Sequence, residues 1–254
     1  MTRIAKVPER VLQAATLLLF LLAWQLASSA YPSDQFPSPL NVLLGFSEIA
    51  RNGVLIEHVS ISLFRFSLAY LLAAILAIPL GLLLGGFKTL QRASDPLVQL
   101  LRPISPIAWF PLAVLWFGIG NLPAIFIIFL ASFFPVLLAA ITGVRHVDPL
   151  YLKVAANFGA SRSETFLKII WPAAFPHIMV GLNIALGTGW IHLVAGEMLG
   201  AQSGLGFMIV DARNFLRTDL IIAGMLLVGL LGLLINAAIR HLEQRVIERW
   251  GALP

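Results

Sequence analysis

The stretch that decides the fold runs from Leu122 to Val144 and reads LPAIFIIFLASFFPVLLAAITGV. It contains no charged side chain. A helix rises about 1.5 Å per residue, so about 20 apolar residues cross a hydrocarbon core of about 30 Å. The stretch is therefore long enough and apolar enough to cross a bilayer as one helix, although it includes Pro123 and Pro135.

Comparable apolar runs follow in both directions along the chain. They lie near residues 11 to 30, 61 to 86, 96 to 118, 174 to 199 and 219 to 239. Hydrophobic residues make up 59% of the chain and charged residues 11%, whereas soluble domains are about half apolar and about a quarter charged. The sequence thus predicts an all-α polytopic membrane protein with six transmembrane helices.

The first apolar run and the segment after it form a separate N-terminal part in this prediction. The run follows a basic leader, as in a signal peptide, but it is long for one and is expected to remain as a helix. Prolines come next, and then apolar residues at helical spacing, which predict a short interfacial helix on the outer face. We therefore divide the chain into residues 1–60 and a membrane core of residues 61–254.

Basic side chains are distributed unevenly between the two sides of the predicted membrane. Of the 17 lysines and arginines, all but Arg51, Arg65, Arg213 and Arg217 fall on the side of the two termini. The positive-inside rule then places both termini in the cytoplasm. This bias also accounts for the net charge of +5, so lipid is an expected partner and nucleic acid is not.

Metal binding and ATP binding are not expected of this chain. It has no cysteine, which excludes a thiolate site, and its histidines lack metal-ligand spacing. The sequence GGFKT at Gly85–Thr89 resembles a phosphate-binding loop, but Phe87 separates the glycine from Lys88 and the motif fails. No serine nucleophile with a placed base is evident either, so the chain is not expected to be an enzyme.

The longest loop on the cytoplasmic side reads DPLYLKVAANFGASRSETFLKIIWPAAFP and starts at Asp148. Asp148 can cap a helix that opens on a proline, and Gly159 can end that helix in the left-handed conformation. Ser161 and Glu164 then form the capping box of a second helix, which Pro172 is expected to stop. The loop is predicted to be a helix, a glycine turn and a helix.

The first of these helices carries a mostly apolar stripe. The stripe consists of Leu150, Tyr151, Val154 and Phe158. Such a face needs a cover. It can pack on the ends of the protein's own spans or dock into a groove of another protein, and the residues alone leave both possibilities open.

The loop resembles the "EAA" loop of permease subunits in ATP-binding-cassette importers, in which Glu-Ala-Ala is followed by a glycine and then by a proline. Gly159, Ala160 and Pro172 match that pattern, and Ala155 stands at its second alanine. Wider segments are similar to the nitrate, sulfonate and taurine permease branch. They are RPISPIAWFPLAVLWFGIG from Arg102, AGEMLGAQSGLGFMI from Ala195 and FLRTD from Phe215.

The resemblance implies a MetI-like core of five helices plus an N-terminal helix in the bacterial plasma (inner) membrane. It implies import of a small anion of the sulfonate, taurine, nitrate or bicarbonate type by a permease without a cofactor of its own. Its partners would be a second permease copy, two cytoplasmic ATPase subunits that bind ATP and Mg, and an external or periplasmic substrate-binding protein. A secondary active transporter is the alternative, although the internal repeats and midplane carboxylates typical of that class are not evident.

The resemblance also assigns the ATPase-coupling interface to the loop of residues 148–172. The contact residues would be Leu150, Tyr151, Lys153, Val154, Ala155, Ala156, Phe158, Gly159, Ala160, Ser161 and Arg162. Lys153 departs from the family pattern because it stands where the glutamate is expected. Either the partner ATPase has a compensating acid there, or the contact depends on the apolar stripe.

Candidates for the translocation pathway are Trp109, Trp190, His192 and Glu197. Glu197 is the only acid well inside an apolar run, and a charge at membrane depth is costly unless it faces protein or water. We expect it near the outer end of its helix, in a structural pair with Arg213 or Arg217 or else in the pathway. For His192 and the tryptophans, ordinary helix packing competes with a pathway role.

Overall fold

The computed structural model describes residues 8–51 and 53–249, and every regular element in these ranges is a helix. In chain order the helices are α1 (Glu9–Ser29), α2 (Pro39–Arg51), α3 (Val54–Gly86), α4 (Lys88–Leu101), α5 (Phe110–Phe117), α6 (Asn121–Arg145), α7 (Pro149–Asn157), α8 (Arg162–Thr165), α9 (Trp171–Gly200), α10 (Leu205–Asn214) and α11 (Thr218–Arg249). The predicted all-α fold is confirmed. The predicted boundary after residue 60 falls within α3, and the division itself stays a prediction.

Five helical segments of the described chain are long enough and apolar enough to cross a membrane. They are Arg10–Ser29, Val54–Gly86, Asn121–Arg145, Arg162–Gly200 and Thr218–His241. A sixth candidate is a broken span in which Lys88–Leu101 and Pro106–Phe117 meet at 83°. The predicted number of six spans is therefore reached in the described chain only if this bent pair is counted as one span.

The span predicted near residues 96 to 118 is not straight, because the chain bends between α4 and α5. The sequence at the bend is RPISP, from Arg102 to Pro106. Proline has no backbone N–H and its ring disfavours a helical conformation in the residue before it. Two prolines three residues apart therefore interrupt the helix, and a 3₁₀ turn (Pro106–Trp109) starts the second half.

The prediction that Pro172 stops a helix was wrong. α8 continues through a π-helical turn (Phe166–Ile170) into α9, so that one helical segment runs to Gly200. In this turn the Trp171 N–H bonds to the carbonyl of Phe166, five residues earlier. The wider turn accommodates the proline, which lacks the N–H of a regular helical bond.

Helix α6 lies at the centre of the bundle, between α3 and α9. Small residues allow the close approach. A Cβ placed on Gly81 of α3 would lie 2.5 Å from the Cβ of Ala140, and one on Gly143 would lie 2.8 Å from the carbonyl oxygen of Ala174 in α9. Any larger side chain at these glycines would push the helices apart, as expected for packing through small residues in membranes.

The N-terminal helices lie at the periphery. The Trp24 indole of α1 donates a hydrogen bond to the Pro37 carbonyl at 3.0 Å, and α2 confirms the predicted short helix after the prolines. Arg217, just before α11, holds α2 by an ion pair of 2.7 Å with Glu48. Hydrogen bonds from Arg217 also hold the pKa of the exposed Glu48 carboxyl below its ordinary value. The ion pair between Arg217 and Glu48 lies at the end of the bundle where α10 joins α11.

Candidate functional site

The hairpin, which consists of α7, its turn and α8 (residues 148–165), has the predicted capping interactions. The Asp148 carboxylate accepts the Leu150 N–H at 2.8 Å. Gly159 has a φ of +73°, a conformation that glycine adopts without the strain of a Cβ. The Ala160 N–H then bonds to the Ala155 carbonyl at 2.9 Å, which closes the helix end.

The second half of the hairpin begins with a complete capping box. The Glu164 N–H donates to the Ser161 hydroxyl at 3.2 Å, and the Ser161 N–H donates to the Glu164 carboxylate at 3.0 Å. Each residue thus satisfies a backbone donor of the other, an interaction typical of helix starts. Both turns of the hairpin are therefore fixed by short-range bonds, and α7 is held in a defined position.

The apolar stripe of α7 is not covered by the described chain. Phe158 is 88% exposed and Tyr151 is 62% exposed, and Leu150 and Val154 are exposed as well. Ala155 is the single buried residue of α7. Of the other predicted contact residues, Lys153, Ala156, Gly159, Ser161 and Arg162 are exposed and Ala160 is half-buried. The stripe therefore does not pack on the protein's own spans.

A cavity of about 660 Å³ lies between the broken span and helices α6 and α9. Trp109 and His192, two of the predicted pathway residues, border it. The cavity follows α9 from His177 to His192, which is about 22 Å at 1.5 Å per residue. It thus extends along most of the depth that a membrane-spanning helix crosses.

The other two predicted pathway residues lie elsewhere. Trp190 is buried between α3 and α11: its ring meets Phe66 edge to face with centroids 5.3 Å apart, and its indole N–H donates to the Val228 carbonyl at 3.1 Å. Glu197 is buried in an ion pair. Neither residue borders the cavity, so the structure separates the four candidates into a cavity pair and a buried pair.

The partner of Glu197 is Arg65 of α3, so the expected pairing with Arg213 or Arg217 was wrong. The Arg65 Nη1 atom lies 2.6 Å from the Glu197 carboxylate, and both side chains are buried. The carboxylate also accepts the Ser62 hydroxyl at 2.8 Å and the Gly206 N–H at 2.9 Å. As predicted, Glu197 lies near one end of its helix.

The remaining donors of Arg65 are satisfied too. Its Nε and Nη2 atoms donate to the Asn121 amide oxygen at 2.9 and 2.7 Å. Nη1 also donates to the Ser203 carbonyl at 2.7 Å. The network therefore joins α3, the first residue of α6, the end of α9 and the start of α10, at the end of the bundle opposite the hairpin.

Sequence reasoning missed Arg65, although a signal for it existed. Arg65 was assigned to the outer surface, yet it lies inside the predicted apolar run of residues 61 to 86. Charges inside membrane segments pair with one another, so Arg65 could have been considered as a partner of Glu197, together with Arg102 in the run of residues 96 to 118. Among the described residues no group of three potential metal ligands is found.

Comparison with known proteins decides the family. A family model described as "Binding-protein-dependent transport system inner membrane component" matches residues 77–248. The chain belongs to this family. It is therefore a multi-span inner-membrane protein and the permease subunit of an ABC importer, as the resemblance of its loop predicted.

Two relatives of the permease and one solved structure illustrate the match. The taurine transport system permease protein TauC of Escherichia coli is 38% identical over 92% of this chain and 87% of its own. The nitrate import permease protein NrtB of Synechocystis is 34% identical over 94% of this chain and 90% of its own. A structure of the MetNI methionine ABC transporter, in a report on its inward-facing conformations, has a TM-score of 0.65 at 17% identity. It covers 80% of this chain and 99% of its own, which shows the predicted MetI-like fold.

Proposed function

We propose that the permease is driven by separate ATPase subunits that bind the exposed stripe of α7. The observation that carries this proposal is the 88% exposure of Phe158 on a helix whose ends are fixed by capping bonds. An exposed phenylalanine gains nothing from folding of the chain itself, whereas an amphipathic helix binds well in the groove of a partner. The hairpin end of the bundle is then the cytoplasmic end, and both termini are cytoplasmic.

The proposed assembly contains two copies of this chain, two ATPase subunits and an external substrate-binding protein. In the described chain Lys153 has no ion pair, and it stands beside the apolar stripe. We infer that the contact depends chiefly on the stripe, with the remaining exposed residues of the hairpin, from Ala156 to Arg162, at its rim. Ala155 is buried and lies outside this contact. ATP and Mg are bound by the ATPase, since the phosphate-loop motif is interrupted at Phe87.

The proposed substrate is a small anion. The two relatives named above carry taurine and nitrate in their names, and these two compounds share a compact group of negatively polarised oxygens. Bicarbonate has the same chemistry. Uptake of these three compounds by the reconstituted transporter, in the presence and absence of ATP, tests the proposed substrate class.

Replacement of Phe158 by serine tests the proposed ATPase contact. We expect Phe158→Ser to weaken ATPase binding by about 2 kcal/mol, or about thirtyfold, because buried aromatic anchors dominate interfaces. The measurement is the amount of ATPase that purifies with the tagged permease. Gly159→Asp is expected to act in the same direction, because aspartate tolerates the φ of +73° less well than glycine.

Phe215→Ser is the matched control, since Phe215 is 72% exposed at the opposite end of the bundle. This variant should retain the ATPase. All variants should still insert in the membrane, because the spans are unchanged. Wild-type amounts of ATPase and wild-type transport with Phe158→Ser would contradict the proposal.

A further inference from the structure

The cavity between the broken span and helices α6 and α9 has basic side chains in its wall. Its wall is mostly apolar, and no aspartate or glutamate is among the described residues that line it. One arginine, Arg102, and two histidines, His177 and His192, border it. The buried acid Glu197 is paired with Arg65 and does not border the cavity. The cavity therefore presents positive charge without a competing carboxylate.

Arg102 is the group that makes this cavity unusual. It stands at the break between the two halves of one candidate span, and its guanidinium has no ion pair within the described residues. Its side chain is exposed, and in the predicted orientation it lies toward the side of the two termini, so its charge is available to an anion that enters the cavity from that side. An arginine presents several N–H donors in a planar fork that fits the oxygens of an oxyanion.

The two histidines differ in what they can donate. The Nδ1 atom of His192 lies 2.8 Å from the Thr188 carbonyl, so Nδ1 carries the proton and the other ring nitrogen of the neutral imidazole is an acceptor. The Nδ1 atom of His177 is buried and has no hydrogen-bond partner. The His177 ring stacks on that of His146, with centroids 5.0 Å apart. No described residue uses the hydrogen-bonding capacity of Nδ1, and rotation about χ2 would turn this atom toward another side of the ring.

We propose that the cavity is a binding site for a small oxyanion, in which Arg102 supplies the positive charge and His177 a hydrogen bond. The two residues come from different walls of the cavity, the broken span and α9. An anion between them satisfies both the unpaired guanidinium and the unpaired imidazole nitrogen. Apolar side chains around the site remove competing water, which strengthens these bonds. The site rests on the proposed anionic substrate and assigns its binding to this cavity.

A second copy of the chain is the other possible occupant of this cavity. The polar groups favour the anion, because an apolar side chain from a second copy would bury the charge of Arg102 and leave its donors unpaired. An interface of that kind has a separate experimental signature. Removal of Arg102 would then alter the association of the two copies rather than the passage of an anion.

The test compares Arg102→Gln with Arg92→Gln in the whole transporter, reconstituted in liposomes with its ATPase and binding protein. Arg92 is an exposed arginine of α4 that does not border the cavity. With taurine, nitrate and bicarbonate as probes, we expect Arg102→Gln to lower ATP-driven uptake about tenfold or more, the effect of losing a charged hydrogen bond. Arg102→Lys keeps the charge and should restore part of the uptake, and Arg92→Gln should transport as wild type does.

His177 has its own pair of variants. His177→Gln keeps a side-chain donor and should transport nearly as wild type does, whereas His177→Phe should lower uptake about fivefold, as for loss of a neutral hydrogen bond. In both Arg102→Gln and His177→Phe, the ATP hydrolysis stimulated by the binding protein should continue. Uptake would then be lost while the motor still responds.

Three results would overturn the site. Equal uptake by wild type, Arg102→Gln and His177→Phe would refute it while leaving the anionic substrate in place. Loss of the second copy or of the ATPase from purified Arg102→Gln would show that the cavity is an interface. Absence of uptake of all three probes by the wild-type transporter would refute the proposed substrate class and, with it, this site.

Discussion

At the residue scale, the Arg65–Glu197 pair is held by many polar contacts at once. Two charges are buried together, and their hydrogen bonds to each other and to the groups around them are between 2.6 and 3.0 Å long. A buried ion pair adds little stability by itself, because desolvation offsets the attraction, but removal of one partner leaves an uncompensated charge. The pair therefore fixes which ends of α3, α6, α9 and α10 meet.

Glu197→Gln tests whether this role is structural. The variant leaves the Arg65 charge buried without a counterion, so we expect the free energy of unfolding to fall by on the order of 3 kcal/mol. The double variant with Arg65→Gln should recover part of that loss. Thermal denaturation of the purified protein in detergent measures both effects.

The control for this prediction is Glu57→Gln, an exposed glutamate on the same helix as Arg65. It should leave the melting temperature unchanged. A different pattern would favour the pathway role: if Glu197→Gln melts as wild type does but loses transport, the carboxylate acts on the substrate rather than on the fold.

At the scale of helices, the sequence predicted the hairpin, which depends on bonds between residues close together in the chain. It did not predict the contacts between residues that are far apart in the chain. Asp148, Gly159 and Ser161 bond to atoms within five residues, so their roles could be recognised from spacing alone. Arg65 and Glu197 are 132 positions apart, and their pairing depends on how three helices pack. The bend after Arg102 was missed because prolines occur in many membrane helices, and spacing does not show which of them breaks the chain.

Gly181→Ala tests the packing of α6 on α9. An added Cβ would overlap the Cβ of Ala139 in α6, so the helices must separate and lose contacts, as in other overpacked interfaces that lose about 1–3 kcal/mol. The matched control is Gly187→Ala on the same helix, where nothing lies within 4 Å. Thermal denaturation should show a lower melting temperature for Gly181→Ala alone. Equal melting temperatures would show that the two helices do not depend on this close approach.

At the scale of the whole molecule, the two regions proposed to be functional are separate. The hairpin presents an apolar face at one end of the bundle, and α6 and α9, which flank it in sequence, line the proposed anion cavity. A movement of the hairpin relative to the bundle would therefore act directly on two walls of that cavity. The ion pair at the opposite end holds α3, α6 and α9 together and provides a fixed point for such a movement.

The exposed face of α7 is proposed to bind an ATPase. A photoreactive benzoylphenylalanine in place of Phe158 tests this binding most directly in membranes that contain the complete transporter. On illumination we predict a cross-linked product that contains a second chain with a phosphate-loop motif. The same probe in place of Phe215, at the opposite end, should not give that product. Cross-links from position 158 only to the permease's own helices would contradict the proposal.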